Sequence, residues 1–343
     1  MSMTNHERPG VYSRYDASAV ISGTGRGGVV GLAALSSGKA GTLLTLNRYE
    51  DAVTAFGAED GIARLARILF LNGAAQVKAA PVAAASGYEG AFALLQGEED
   101  ITVVLCDSDQ LLVQQKLRES VVEASSARRE RIAVVRGGLK ETVSALINRA
   151  AELNCERMVL VAPPAEDNGG EAAAAVAGAI AGEADPAVPL GGAVLKGVQD
   201  LTQSYDDGEI DLLVRGGVTP LERIGGQTSV VRGVTTRTKS GQAPDATWRE
   251  LTTIRIVDDV IPTVRDALRA KFRRAKNTEQ SRGAIRSQVV LELENKLARE
   301  IITGYDGVTV TADTENPTVC LVDFSFTVAH GLNQIWVSAH ITI

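Results

Sequence analysis

The chain has 343 residues, of which 45% are hydrophobic and only 4% aromatic, and its formal charge is -7. That length allows two or three domains with substantial cores, and an apolar content carried by Ala, Val, Leu and Gly favours α/β layers over an aromatic-lined binding module. The acidic balance argues against general nucleic-acid binding, which calls for a basic domain.

Residues 1–17 have no helical period. Pro9, Gly10, Val11, Tyr12, Ser13, Arg14 and Tyr15 read as an extended arm, polar before the proline and strand-like after it. The start of the chain is polar rather than signal-like, and no apolar run approaches the roughly 18 residues of a membrane helix. A soluble product that stays in the cytoplasm where it is made is the expectation. Cys106, Cys155 and Cys320 are odd in number, widely spaced and set in or beside apolar runs, as reduced thiols would be.

Strands are expected at 19–21, 29–35 and 42–46, a helix over 59–72 with Ile62, Leu65, Ile68 and Leu69 on its apolar face, and a strand at 76–82. Alternation comes next: strand 101–106, helix 109–124, strand 132–135, helix 139–154, strand 158–161. Units of this length favour a parallel sheet with right-handed crossovers. An alanine-rich helix at 170–182 could pack closely on that sheet. Asp206 with Glu209 forms a capping-box pattern for a short helix to Val214. A strand is expected at 228–236, and the polar loop 239–246 marks a domain boundary.

Beyond it, 251–257 reads as a strand. Asp258 or Asp259 can then cap a helix with Pro262 in its first turn. Ile261, Val264, Leu268, Phe272 and Ala275 line one stripe of that helix, and Arg265, Arg269, Arg273 and Lys276 an adjacent one. Lys271 and Arg274 add charge on other faces. Six cations against Asp266, in an acidic chain, point to a docking surface for something acidic, either a protein groove or a nucleic-acid backbone. The lack of aromatics among them, apart from Phe272, disfavours single-strand binding. A second amphipathic helix spans 284–302 and ends at Gly304, with Ile285, Val289, Leu293, Leu297 and Ile301 on one face. Strands at 308–312 and 319–328 are joined by a turn at 313–317. A terminal strand, 334–343, alternates Ile335, Val337, Ala339, Ile341 and Ile343 with Trp336, Ser338, His340 and Thr342. The two terminal segments can add to the chain's own sheets or pair across subunits, since free strand edges recruit partner strands.

Catalytic signals are weak. Gly23-Thr-Gly25-Arg-Gly27-Gly28, with Glu50 some way on, satisfies a dinucleotide-loop pattern. The residues after Gly28 begin with the β-branched pair Val29-Val30 and are interrupted by Gly31, so a turn between two strands is the better reading. Ala40 after Gly38-Lys39, and Ala33 in place of a first glycine, break a P-loop pattern. His6, His330 and His340 have no ligand partners at metal spacing, and no nucleophile elbow occurs. No catalytic residue, cofactor site or metal site is assigned. The rival reading is a nucleotide- or NAD-dependent α/β enzyme using residues 23–28.

Glu7-Arg8-Pro9-Gly10-Val11-Tyr12 resembles the opening of contractile phage tail sheath proteins, as does Arg26-Gly27-Gly28-Val29-Val30-Gly31-Leu32. The segments 194–202, 216–218 and 230–238 are similar to the sheath pattern before its C-terminal domain. Ile254-Arg-Ile-Val-Asp-Asp-Val-Ile261, the two helices and the terminal strands complete it. The resemblance spans nearly the whole chain, which departs by lacking the β-sandwich that many relatives insert. It includes the subunits of phage-tail-like bacteriocins and injection systems.

The resemblance implies a structural subunit that polymerises as stacked six-subunit rings around a tail tube and contracts to drive the tube through an envelope. It implies an α/β fold, α+β overall: an N-terminal arm (1–17), an outer α/β domain (18–246), an inner, tube-facing domain (247–333) and a C-terminal arm (334–343). Arg265, Arg269, Lys271, Arg273, Arg274 and Lys276 would then face the tube. Pro9, Gly10, Val11, Tyr12, Ser13, Arg14 and Tyr15, with Ile335, Trp336, Val337, Ser338, Ala339, His340 and Ile341, would exchange strands between subunits. The implied partners are further copies of the chain, the tube protein, and baseplate and tail terminator proteins, with no nucleic acid and no membrane insertion. The resemblance also implies synthesis in a bacterial host's cytoplasm and assembly into a virion or phage-tail-like particle.

Overall fold

Aliphatic runs punctuated by Gly, Asp and Asn give this chain short strands and helices in near-regular alternation. A computed structural model describes residues 27–165, 170–333 and 338. In order, the elements are β1 (Val29–Leu35), β2 (Leu44–Leu46), α1 (Tyr49–Phe56), α2 (Gly61–Leu71), β3 (Gln76–Val82), α3 (Tyr88–Gln96), β4 (Ile101–Cys106), α4 (Leu111–Ser126), β5 (Ile132–Arg136), α5 (Val143–Leu153), β6 (Met158–Ala162) and α6 (Glu171–Gly182). Then come β7 (Val194–Leu195), α7 (Asp207–Arg215), β8 (Val218–Ile224), β9 (Gln227–Val230) and a small hairpin, β10 (Lys239–Ser240) with β11 (Ala243–Pro244). The chain continues through α8 (Leu251–Phe272), α9 (Glu279–Ala298), β12 (Ile302–Ala312) and β13 (Cys320–Val328).

The strand order of the main sheet is β2-β3-β1-β4-β5-β6-β8-β9-β7. Its six middle strands, β3 through β8 in that order, are parallel, and the edges are antiparallel. The expected α/β fold with a parallel sheet is present. Both faces of such a sheet are covered, so its strands are apolar throughout. Val30, Leu32, Val103, Leu105, Val134 and Val161 face α2 and α6, while Ala33, Val104, Cys106, Val135, Leu160 and Ala162 face α3, α4 and α5. The alanine-rich α6 packs as closely as its composition allows. A Cβ on Gly178 would lie 2.8 Å from the Leu69 carbonyl oxygen, and one on Gly182 would lie 2.8 Å from the Gly73 Cα.

Strand order reverses at β1, the position where doubly wound sheets bind nucleotides beyond the carboxyl ends of their strands. Here that end carries carboxylates. Asp60 accepts from Ser36 Oγ at 2.9 Å and caps α2 through Ile62 N, and Asp107 accepts from Leu35 N at 3.0 Å and from the Tyr88 hydroxyl. The open cleft there, about 620 Å³, is lined by Ser36, Ser37, Phe56, Glu59 and Asp60, and its two carboxylates disfavour a phosphate. Gly27 and Gly28 precede β1, whereas a dinucleotide loop comes after its strand. A Cβ on Gly27 would fall 2.1 Å from the Gly73 carbonyl oxygen, and Gly28 N donates to Ala181 O at 2.6 Å. These glycines permit close backbone packing, and nothing in their geometry supports the cofactor-loop reading. Residues 23–26 lie outside the described set.

The largest departure from expectation is α8. Residues 251–257 are the first two turns of a 22-residue helix, not a strand, and Pro262 sits in its interior. Leu251 and Ile254 pack into the sheet core, whereas Ile256, Val260 and Val264 pack with Val289 and Leu293 of α9, Ile302 and Val308 of β12. One helix therefore carries the chain from one core to the next. Asp258 and Asp259 consequently do not cap anything; the N-cap residue is Glu250, without a side-chain cap bond. The helix α9 begins at Glu279, earlier than expected, because Thr278 Oγ1 accepts from Ser281 N at 3.2 Å. It ends at Ala298, and Gly304 lies inside β12. The strand expected at 228–236 is limited to β9, and α1, α3 and β8 are additional elements. The Asp206–Glu209 capping box is formed as expected. Among the described residues no helix is long and apolar enough to cross a membrane.

Candidate assembly surface

The residues that α8 exposes are set by what its other residues are committed to. Its first half is bound to the sheet domain and to α9 by polar contacts. Arg255 donates to Glu183 O at 2.8 Å, Asp258 accepts two hydrogen bonds from Arg157 at 2.7 and 2.9 Å, and Asp259 accepts from Lys296 of α9 at 2.5 Å. Further on, Arg265 donates twice to Glu130, at 2.7 and 3.0 Å. Glu130, Glu183, Arg255, Asp258 and Asp259 thus ring a cleft of about 250 Å³ between α8 and the amino ends of β4 and β5. Burial pushes the Asp258 carboxyl above its ordinary range, against the pull of Arg157. Burial would raise Glu130 as well, but the Arg265 hydrogen bonds, a backbone hydrogen bond and the charges of Arg265 and Arg157 together outweigh it and hold that carboxyl below its ordinary 4.5.

A carboxyl lowered by folding contributes stability above its ordinary value and loses it as pH falls through the folded value. The stability difference between wild type and Glu130→Gln should therefore shrink between about pH 6 and pH 3, as read by urea unfolding at several pH values. A constant difference would remove Glu130 from the acid response.

The six cations expected to face a partner divide into two groups. Arg265 is held by Glu130, and Lys271 donates to Gln288 Oε1 on α9. Arg269, Arg273, Arg274 and Lys276 are exposed and make no ion pair or side-chain hydrogen bond among the described residues. The available charge thus lies at the end of α8 and in the α8–α9 turn rather than along a full helical stripe. Cations there also oppose the negative end of the helix dipole. From Val264 on, the apolar stripe is graded in the same direction: Val264 is buried, Leu268 half-buried against the second core, Phe272 half-buried and Ala275 exposed, while Ile261 before them is exposed as well.

The turn is tied to a second one. Asn277 Nδ2 donates to Pro317 O at 2.8 Å and Val319 O at 3.1 Å in the β12–β13 turn, while Asn277 Oδ1 accepts from Arg282 at 2.9 Å. β12 and β13 form a two-stranded antiparallel ribbon whose inner face, through Val322, Phe324 and Phe326, packs on the α8–α9 core. Among the described residues neither outer edge of this ribbon has a strand partner. Pro9–Tyr15 and 335–341 lie outside the described set except for Ser338, which is exposed and outside regular structure. Glu130, Arg157, Glu183 and Asn277 escaped the sequence reading. The first three lie between 72 and 135 residues from their α8 partners, and no local pattern pairs them.

Among the described residues no group of His, Cys, Asp and Glu could hold a metal ion. Sequence models of two domains match: the phage tail sheath protein central domain over residues 82–236 and the phage tail sheath C-terminal domain over residues 243–342. The tail sheath protein of Bacillus phage SP01 is 28% identical over 261 residues, which cover 70% of this chain and 43% of that protein. The chain therefore spans less than half the length of that curated relative. A chain of the anti-feeding prophage baseplate superposes with a TM-score of 0.74 at 16% identity, covering 99% of this chain and 100% of its own. A chain of the same system's helical sheath in its contracted state gives 0.72 at 15%, covering 98% and 99%.

Proposed function

From a chain that belongs to the contractile phage tail sheath family, we propose a structural sheath subunit that polymerises helically around a tail tube and contracts to drive the tube through a target envelope. The observation that carries this reading is the β12–β13 ribbon, which presents two outer edges without strand partners among the described residues. Unpaired main-chain N–H and C=O groups recruit further strands. Arms 9–15 and 335–341 of neighbouring copies are the strands we assign to them. A contact of this kind, between different surfaces of identical subunits, builds a helix where its rotation does not close into a ring. We place six subunits in each ring.

The cationic end of α8 supplies the second contact. Arg269, Arg273, Arg274 and Lys276 face the tube, whereas Arg265 and Lys271 are engaged within the subunit by Glu130 and Gln288. Exposed ion pairs contribute roughly 0–1 kcal/mol each, so this grip can be released ring by ring while the directional strand ladder holds. Baseplate and tail terminator proteins cap the polymer. The subunit is made in the host cytoplasm, joins a virion or tail-like particle, and works mechanically rather than as an enzyme.

Negative-stain microscopy of the purified protein is the direct test. Tubes or stacked rings are expected, and monodisperse monomers at high protein concentration would overturn the assignment.

A further inference from the structure

We propose that Asn277 is a positioning residue that fixes the α8–α9 turn as a preorganised cationic site for an acidic protein surface. The proposal rests on the reading of this end of the molecule as the tube contact. Arg273, Arg274 and Lys276 all lie in the few residues between the last turn of α8 and the N-cap Thr278. A free turn of this kind samples many arrangements, and each must be given up when a partner binds.

The amide of Asn277 removes that freedom. Its two N–H groups reach two carbonyls of the β12–β13 turn, 40 and 42 residues away in sequence, and its oxygen accepts from Arg282 one turn into α9. Three bonds use the amide in one orientation only, because its nitrogen cannot accept from Arg282 and its oxygen cannot donate to Pro317 O. Helix end, helix start and β-turn are thereby joined at one side chain. Asp313 is engaged by its own loop, its Oδ1 accepting from Glu315 N and Asn316 N at 2.8 Å each, and among the described residues it makes no ion pair with these cations. The surface so fixed suits a rigid partner presenting spaced carboxylates.

The test uses the full-length subunit and immobilised poly-L-glutamate as the acidic probe, together with hydrogen exchange across residues 273–278. Asn277→Ala should weaken binding about tenfold through lost preorganisation, speed exchange in the turn and leave the thermal midpoint of the subunit within a few degrees. Arg273→Glu with Arg274→Glu should abolish binding. If that reversal is silent, the acidic-partner reading falls and takes the proposal with it. If the reversal abolishes binding but Asn277→Ala binds as wild type, the positioning role alone is overturned. Unchanged exchange in Asn277→Ala also overturns it.

Discussion

Asp258→Ala should lower the unfolding free energy of the subunit by about 3–5 kcal/mol, the cost of leaving a buried cation without its partner. Arg157 and Asp258 are 13% and 15% exposed and meet through two hydrogen bonds, so the pair is desolvated on both sides. Removing the carboxylate leaves the Arg157 guanidinium facing Arg131 O and the amino end of the sheet, with Glu156 and Glu130 as the nearest acids. Denaturant unfolding of soluble subunits reads the loss directly. The double variant Arg157→Met with Asp258→Leu separates the explanations: replacing both charges with apolar groups of similar size should recover most of the stability. A loss within about 1 kcal/mol for Asp258→Ala would place this pair with ordinary surface ion pairs.

Packing into two cores overrides the local strand signal at the start of α8. Residues 251–257 contain Thr252, Thr253, Ile254, Ile256 and Val257, a β-branched run with high strand propensity. Both faces of that run are nonetheless buried, Leu251 and Ile254 against one core and Ile256 against the other, and helical geometry lets one segment meet two cores that lie on different sides of it. Pro262 should end a helix at roughly 3 kcal/mol. It is tolerated because buried Val260 and Val264 and the Asp258 and Asp259 ion pairs hold the helix around it. Local propensity lost to tertiary packing here.

Elsewhere the local signal was sufficient. The strands β1, β3 and β4 are apolar runs bounded by turn residues, and the Asp206–Glu209 box marks the start of α7 at the residue where it occurs. The helix α3 was legible in principle, since Tyr88, Ala91, Phe92 and Leu95 share one buried face at helical spacing. In β8, Pro220 weakens the strand pattern. The cationic surface was legible as charge, but not as availability: whether an arginine is free depends on partners such as Glu130 that lie far away in sequence.

Deleting residues 334–343 should leave a folded subunit that no longer polymerises. An isolated two-stranded ribbon is marginal in water, but β12 and β13 are held by packing of Val322, Phe324, Phe326 and Val328 on the α8–α9 core. The truncated subunit should therefore keep its thermal midpoint while losing the strand that we assign to a neighbour's ribbon. Salt distinguishes this contact from the cationic one. At about 1 M ionic strength the screening length is about 3 Å, so tube loading through Arg269, Arg273, Arg274 and Lys276 should fail while wild-type subunits still form filaments. Main-chain hydrogen bonds shielded within a ladder do not share that sensitivity. Light scattering and microscopy of wild-type and truncated protein at low and high salt give four conditions. Filaments of normal pitch from the truncated chain would remove the terminal strand from the assembly. Loss of wild-type filaments at high salt would mean that charge, not strand pairing, joins the subunits.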